Sequence, residues 1–237
     1  MACILNIETS TDLCSVCVSE NGTNVYDEVC RKGYNQARVL APAVKNALEF
    51  VRHDGLHLDA VAVSFGPGSY TGLRIGVSEA KGLCYGKEIP LIAISTLQTL
   101  CVPVLLYTDL PDDALLCPMI DARRMEVYCA IYDRGLRTVR DTTAVVVSSD
   151  SFAEFLDSNP VYFFGNGSEK CKDFLCHKNA HFLTGIEPLA KNMFPLAEKK
   201  YAYQDFADIA YCEPDYLKKF VATQSRNILN DLIHGQS

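Results

Sequence analysis

The chain has 237 residues, 22 Lys and Arg against 29 Asp and Glu, and a formal net charge of −7. This length suits one large or two small domains. The charge speaks against a protein that grips RNA, DNA or an anionic membrane unaided, because phosphate surfaces are held by clustered Lys and Arg. The 11 cysteines are odd in number and lie in apolar runs such as SVCVS and LLCPMI, which reads as small core hydrophobes in a reducing cytoplasm and not as a disulfide framework. The opening MACILNIETS has no basic segment and only a short apolar run, so neither a signal peptide nor a membrane anchor is expected. No later stretch is long enough and free enough of charge to cross a bilayer.

Residues 2–7 (ACILNI) are nearly all apolar and predict a buried strand. ETSTD is a polar turn, and residues 13–19 (LCSVCVS) alternate as a second strand. Asn21-Gly22 is a hairpin signal, with a third strand through Asn24–Val29. NQARVLAPAVKNALEFVR then sets Val39, Leu40, Val44, Ala47, Leu48 and Val51 on one helical face, with Pro42 kinking the helix or marking its first turn. Residues 60–64 (AVAVS) are a short buried strand, FGPGS a loop, and a helix follows to about residue 86. Gly72, Gly76 and Gly82 lie inside that helix and together cost about 3 kcal/mol against alanine. Gly72, Gly76, Ala80 and Cys84 recur every four residues, and such a row of small side chains lets two helix backbones approach closely. The partner helix belongs to this chain, with the Pro42 helix the obvious neighbour, or to another chain. PLIAIS (90–95) is a strand and STLQTLCVPVL a helix.

After Pro111 the opening pattern returns. LLCPMI (115–120) is a strand ending at Asp121, ARRME a turn and VYCAIYD a strand, so Glu8 and Asp121 occupy equivalent places. Val161–Phe164 is a strand, GNGS a turn, EKCKDFL a short helix and PLAKNMFPLAEKKYA one further helix, while residues 136–185 otherwise carry little signal. Strands alternating with helices and beginning with a hairpin imply mixed α/β layers, here twice over.

Three stretches bear on chemistry. Ser69 is a good N-cap behind Gly66 and Gly68, so FGPGS reads as a phosphate cradle at a helix amino terminus or as an ordinary strand-to-helix loop. It lacks the Gly-Lys-Ser/Thr ending of a Walker loop. Glu8, Thr9, Ser10, Thr11 and Asp12 suit Mg²⁺ and phosphate, and equally suit turn hydrogen bonding. Cys171, Cys176, His177 and His181 match no common zinc spacing, and no G-x-S-x-G nucleophile elbow occurs.

ILNIETSTDLCSVCV, SFGPGSYTGLRIGVSEAKGL, PLIAISTL and MIDARRMEVYCAIYD, in this order and at these spacings, resemble the TsaB (YeaZ) family, as does PLAEKKYAYQDFADIAYCEPDYLK near the end. The resemblance implies an α/β protein of the ASKHA group (actin, Hsp70, sugar kinases): two tandem ribonuclease-H-like lobes with mixed sheets flanked by helices, over 1–104 and 105–237, the last helix packing back on the first lobe. It also implies a cytoplasmic, non-catalytic subunit of the machinery that makes N6-threonylcarbamoyladenosine at position 37 of tRNAs reading ANN codons. Such a subunit binds the transferase TsaD, joined by the ATPase TsaE, forms a homodimer when alone, meets tRNA only through the complex and has no membrane role. TsaD carries a His-x-x-x-His metal pair on an amino-lobe helix, whereas YNQARVLAPAVKNALEF has no histidine. The family's four-helix interface maps to Val39, Leu40, Val44, Gly72, Leu73, Gly76 and Ala80, the small residues lying at that interface or just beneath it. No cofactor is implied for the chain alone. The resemblance leaves room for ATP or ADP with Mg²⁺ at the TsaD junction, around Glu8, Thr9, Ser10, Gly66, Gly68 and Ser69. Glu8 stands where many relatives carry Asp, and a carboxylate displaced by about 1 Å can cost about 100-fold in activity. The rival readings are a stand-alone ASKHA-type ATPase or kinase, an inactive peptidase homologue, and a self-contained homodimeric module.

Overall fold

The computed structural model describes residues 2–31 and 36–217. Tyr34 and Asn35, at the start of the predicted helix, and Lys218, at the end of the carboxy-terminal motif, lie outside the described residues. The first sheet contains β1 (Cys3–Glu8), β2 (Cys14–Glu20), β3 (Thr23–Cys30), β4 (Ala60–Gly66) and β5 (Leu91–Ser95), in the order β3-β2-β1-β4-β5. The β1–β2–β3 meander is antiparallel, while β4 runs parallel to β1 and β5 parallel to β4. Every residue of β1 is buried, because both faces of the central strand are covered, and this is why its sequence is an apolar run. Edge strand β3 is mostly exposed and correspondingly polar. Asn21 and Gly22 turn the β2–β3 hairpin with φ of 52° and 75°, the left-handed pair that a tight hairpin needs.

Helices α1 (Gln36–His53) and α2 (Tyr70–Lys87) cover one face of this sheet, where Leu40, Val44, Ala47, Val77 and Ala80 pack on Leu5, Ile7, Val16 and Val63. Pro42 stands inside α1 on its exposed side. The second sheet contains β6 (Leu115–Asp121), β7 (Glu126–Tyr132), β8 (Thr138–Val146), β9 (Val161–Phe164) and β10 (Ala180–Phe182), ordered β10-β9-β6-β7-β8. Read from its other edge, that order is the first sheet's own. The chain therefore builds two tandem ribonuclease-H-like lobes of the ASKHA type, each a mixed sheet flanked by helices.

Two helices join the lobes. Helix α3 (Thr96–Tyr107) leaves the first sheet and sets Leu97, Leu100 and Cys101 against Leu116, Ile120 and Phe164 of the second. Helix α5 (Phe194–Ala202) returns with the 3-10 turn Ala190–Asn192 to cover the far face of the first sheet, where Ala190, Met193 and Ala197 meet Ile4, Ala62 and Ile92. The Ser15 hydroxyl accepts the Ala190 amide at 2.9 Å in the middle of that contact.

The structure differs from expectation in five places. PLAKNMFPLAEKKYA is not one helix: Pro195 has no N–H to give a continuous helix, so a 3-10 turn ends first and α5 starts with Pro195 in its opening turn. EKCKDFL holds only the 3-10 turn Glu169–Cys171. Strands β8 and β10 arise in the stretch that carried little signal, and a short helix α4 (Ala153–Leu156) lies between β8 and β9.

Candidate functional site

The acid–hydroxyl turn between β1 and β2 is closed by the chain itself. Glu8 and Thr9 are 0% exposed and Ser10 is 1% exposed. The Glu8 Oε1 accepts the Ser10 amide at 2.6 Å, and the Thr9 amide donates to the Ser64 hydroxyl at 3.1 Å. From the β4–α2 loop, the Ser69 amide donates to the Ser10 carbonyl at 2.6 Å, while the Ser69 hydroxyl caps α2 by accepting the Gly72 amide at 3.2 Å. At the start of α1 the Gln36 amide group donates to the carbonyls of Thr9, at 3.2 Å, and Thr11. Glu8, Thr9, Ser10, Gly68 and Ser69 thus lie together in one knot, whereas Gly66, at the end of β4, faces Asp215 and Leu73. Gln36 completes it and was missed: as a polar residue near a predicted helix start, it carries no pattern that points 25 residues back to Thr11.

Gly68, just before α2, and Gly72 and Gly76 within it owe their place to this knot. A side chain at Gly68 would overlap Ser10, one at Gly72 the Thr9 carbonyl and Gln36, and one at Gly76 the Thr9 hydroxyl. Their small size therefore admits the β1–β2 turn, and at Gly72 also Gln36 at the start of α1, to the surface of α2. Ala80 and Cys84 continue the row into the sheet core. Leu40, Val44, Gly72, Leu73, Gly76 and Ala80 are all buried within this chain, and Val39 is half-buried. The solvent-facing surface of the helix pair is instead formed by residues such as Ala37, Ala41 and Lys45 of α1 and Thr71, Ser78 and Gly82 of α2.

The knot does not fit a Mg²⁺-nucleotide. Burial pushes the Glu8 carboxyl up to about 7, so the charged form that a cation needs is held only at a cost in this site. One of its oxygens is already taken by Ser10, and turn backbone lies where a phosphate would meet Gly68 and Gly72. Among the described residues, Glu8 Oε2, Thr9 Oγ1 and Ser10 Oγ are buried and make no hydrogen bond of good geometry, although the Ser10 and Ser64 side chains stand close enough to Glu8 to temper its rise.

The equivalent turn of the second lobe is open. Asp121 is exposed, and its carboxylate accepts the Arg123 amide at 2.9 Å and pairs with Lys170. Lys170 also donates to the carbonyls of Arg124 at 2.6 Å and Glu126 at 2.7 Å. The loop after β9, Phe164-Gly165-Asn166-Gly167-Ser168, repeats the letters of Phe65-Gly66-Pro67-Gly68-Ser69 and packs on β6, Gly165 on Met119 and Gly167 on Ile120 and Asp121. Asn166 Oδ1 accepts the Asp121 amide at 2.9 Å. The cysteines and histidines that follow do not converge. Cys171 is buried against the Gly167 carbonyl, His181 stacks on Tyr162 with centroids 4.9 Å apart, and His177 faces Asp157.

Comparison with known proteins gives a consistent picture. A family model described as "TsaD: tRNA N6-adenosine threonylcarbamoyltransferase" matches residues 32–227. The chain is similar to the tRNA threonylcarbamoyladenosine biosynthesis protein TsaB of Escherichia coli K12, 31% identical over 92% of this chain and 96% of that protein. It is also similar to the TsaB of Bacillus subtilis, 31% identical over 73% of this chain and 74% of the relative. In fold it is similar to YeaZ from Pseudomonas aeruginosa, with a TM-score of 0.78, 24% identity, and 92% of this chain and 100% of that one covered. The coverage extends through both lobes, so the chain belongs to the TsaB (YeaZ) family of tRNA threonylcarbamoyladenosine biosynthesis proteins.

Proposed function

We propose that this protein is a non-catalytic subunit of tRNA threonylcarbamoylation. It binds a TsaD-type transferase, joined by a TsaE-type ATPase, for modification of adenosine 37 in tRNAs reading ANN codons. The observation that carries the reading is the closed β1–β2 turn, in which Glu8, Thr9 and Ser10 are sealed under α2 and Gln36. A lobe that fills this turn with its own backbone retains the ASKHA scaffold without its cation and phosphate chemistry, so the isolated chain is inferred to bind no nucleotide. The closed knot also fixes the first turns of α1 and α2 relative to each other and to the sheet. Their outward surface is inferred to meet the matching helix pair of TsaD, or of a second copy when TsaD is absent. Six of the expected interface residues then act from beneath, by setting the height and spacing of the two helices.

The test is reconstitution with the adenylate-forming enzyme, TsaD, TsaE, ATP, threonine, bicarbonate and unmodified tRNA. Modified adenosine that accumulates only with this chain present supports the reading. Modification indifferent to the chain overturns it. Calorimetric titration of the isolated chain with Mg-ATP separates the scaffold from the stand-alone ATPase, which requires binding.

A further inference from the structure

We propose that the β6–β7 turn is a contact for the phosphodiester backbone of RNA, made by Arg123 and Arg124 when this chain works within its complex. The inference rests on the tRNA-modification reading above and adds a surface to it. Both residues are exposed, and no hydrogen bond, ion pair or ring contact engages either guanidinium among the described residues. Both have positive φ, 71° and 51°, a conformation that residues other than Gly, Asn and Asp seldom take.

The turn is braced to keep them there. The Glu126 amide donates to the Arg123 carbonyl at 3.1 Å, the Val147 amide to the Met125 carbonyl at 2.9 Å, and Lys170 to the carbonyls of Arg124 and Glu126. Lys170 also pairs with Asp121 at the start of the turn, and Lys172 pairs with Glu169 beyond it. Two planar, permanently charged forks are therefore carried, exposed, by adjacent residues of a braced turn in a chain whose net charge is −7. A guanidinium fork matches the paired oxygens of a phosphate, and a pre-set turn loses little freedom on meeting one. The contact would fix register on the RNA without reading sequence.

The test is the affinity of the complex with TsaD for tRNA across a range of salt concentrations, with wild type and with Arg123→Gln/Arg124→Gln. The expected result is about a tenfold loss of affinity and a salt slope shallower by about 1–2, with Arg123→Lys/Arg124→Lys keeping the slope. Unchanged affinity and slope would overturn the proposal. So would loss of TsaD binding in the absence of tRNA, because the turn would then be a protein contact. If wild type forms no complex with TsaD, the functional reading fails, and the same titration on the isolated chain decides for the turn. Salt-dependent tRNA binding lost in the Gln variant supports it, and no binding, or binding equal in both, overturns it.

Discussion

The two lobes share a strand order, an acid at the end of the first strand and a Phe-Gly-x-Gly-Ser loop, yet their hairpin turns have opposite fates. In the first lobe the loop leads into an 18-residue helix whose glycines press on the turn, and Glu8 is sealed. In the second lobe it leads into a 3-residue 3-10 turn, no helix among the described residues covers the hairpin, and Asp121 stays exposed beside Lys170. The same sheet thus supports a buried knot and an exposed basic turn. What decides between them is the element that follows the glycine loop, since a long helix with a small-residue face can close the turn and a single 3-10 turn cannot.

The largest expected effect is at the knot. Gly72→Leu forces a side chain into the Thr9 carbonyl and Gln36. Backbone on one side and helix on the other leave no cheap relaxation, so a loss of more than about 3 kcal/mol is expected, a large share of a typical 5–15 kcal/mol. Urea denaturation measures it. A fully stable variant would mean that the first-lobe turn is as free as the second.

The two acids separate next, through pH. Glu8 rises from an ordinary 4.5 to about 7 because burial penalises its charge. Its contribution to folding is therefore full below about pH 4.5 and is lost as pH climbs through about 7, a change of roughly 3 kcal/mol. Glu8→Gln keeps an acceptor for the Ser10 amide and should flatten that window, raising stability above neutral pH by about 1–3 kcal/mol. Asp121→Asn, on an exposed ion pair, should change stability by no more than about 1 kcal/mol at any pH. Thermal midpoints from pH 4 to 9 make the comparison, and equal profiles for the two variants would break it.

Lys170→Met tests the brace. It removes the donor to the carbonyls of Arg124 and Glu126 and unpairs Asp121. These groups lie near water, which replaces part of what is lost, so about 1–2 kcal/mol is expected. Faster amide exchange should be confined to the turn at residues 121–126. Exchange that spreads to the second-lobe core would show Lys170 supporting the whole sheet instead.

The sequence is legible where one element dictates its own pattern. Buried β1, β4 and β6 are apolar runs, Asn21-Gly22 marks its hairpin, and the strand-acid-turn repeat announces the second lobe. Strand β8 escaped because its Thr138–Val146 run is an exposed edge, where polar residues dilute the alternation. The cluster of Glu8 with Gly68 and Ser69 follows from family resemblance. Its closure does not, because it depends on Gln36 and on the height of α2 above the sheet, both set by tertiary contacts. The glycine row shows the limit most plainly: spacing gives the face, and only the fold says that the β1–β2 turn, with Gln36 of α1, presses on it.

The smallest expected effect has the opposite sign. Gly82 lies inside α2, exposed, and a Cβ there meets no atom within 4 Å. No described residue requires a glycine at that position, so Gly82→Ala should stabilise the isolated protein by about 0.5–1 kcal/mol through helix propensity and a less flexible unfolded chain. The same substitution places a methyl group on the outward surface proposed to meet TsaD. Stabilised chain with weakened TsaD binding would show that Gly82, unlike Gly72 and Gly76, is small for the sake of a partner helix. Stabilised chain with unchanged binding would place the contact elsewhere along α1 and α2.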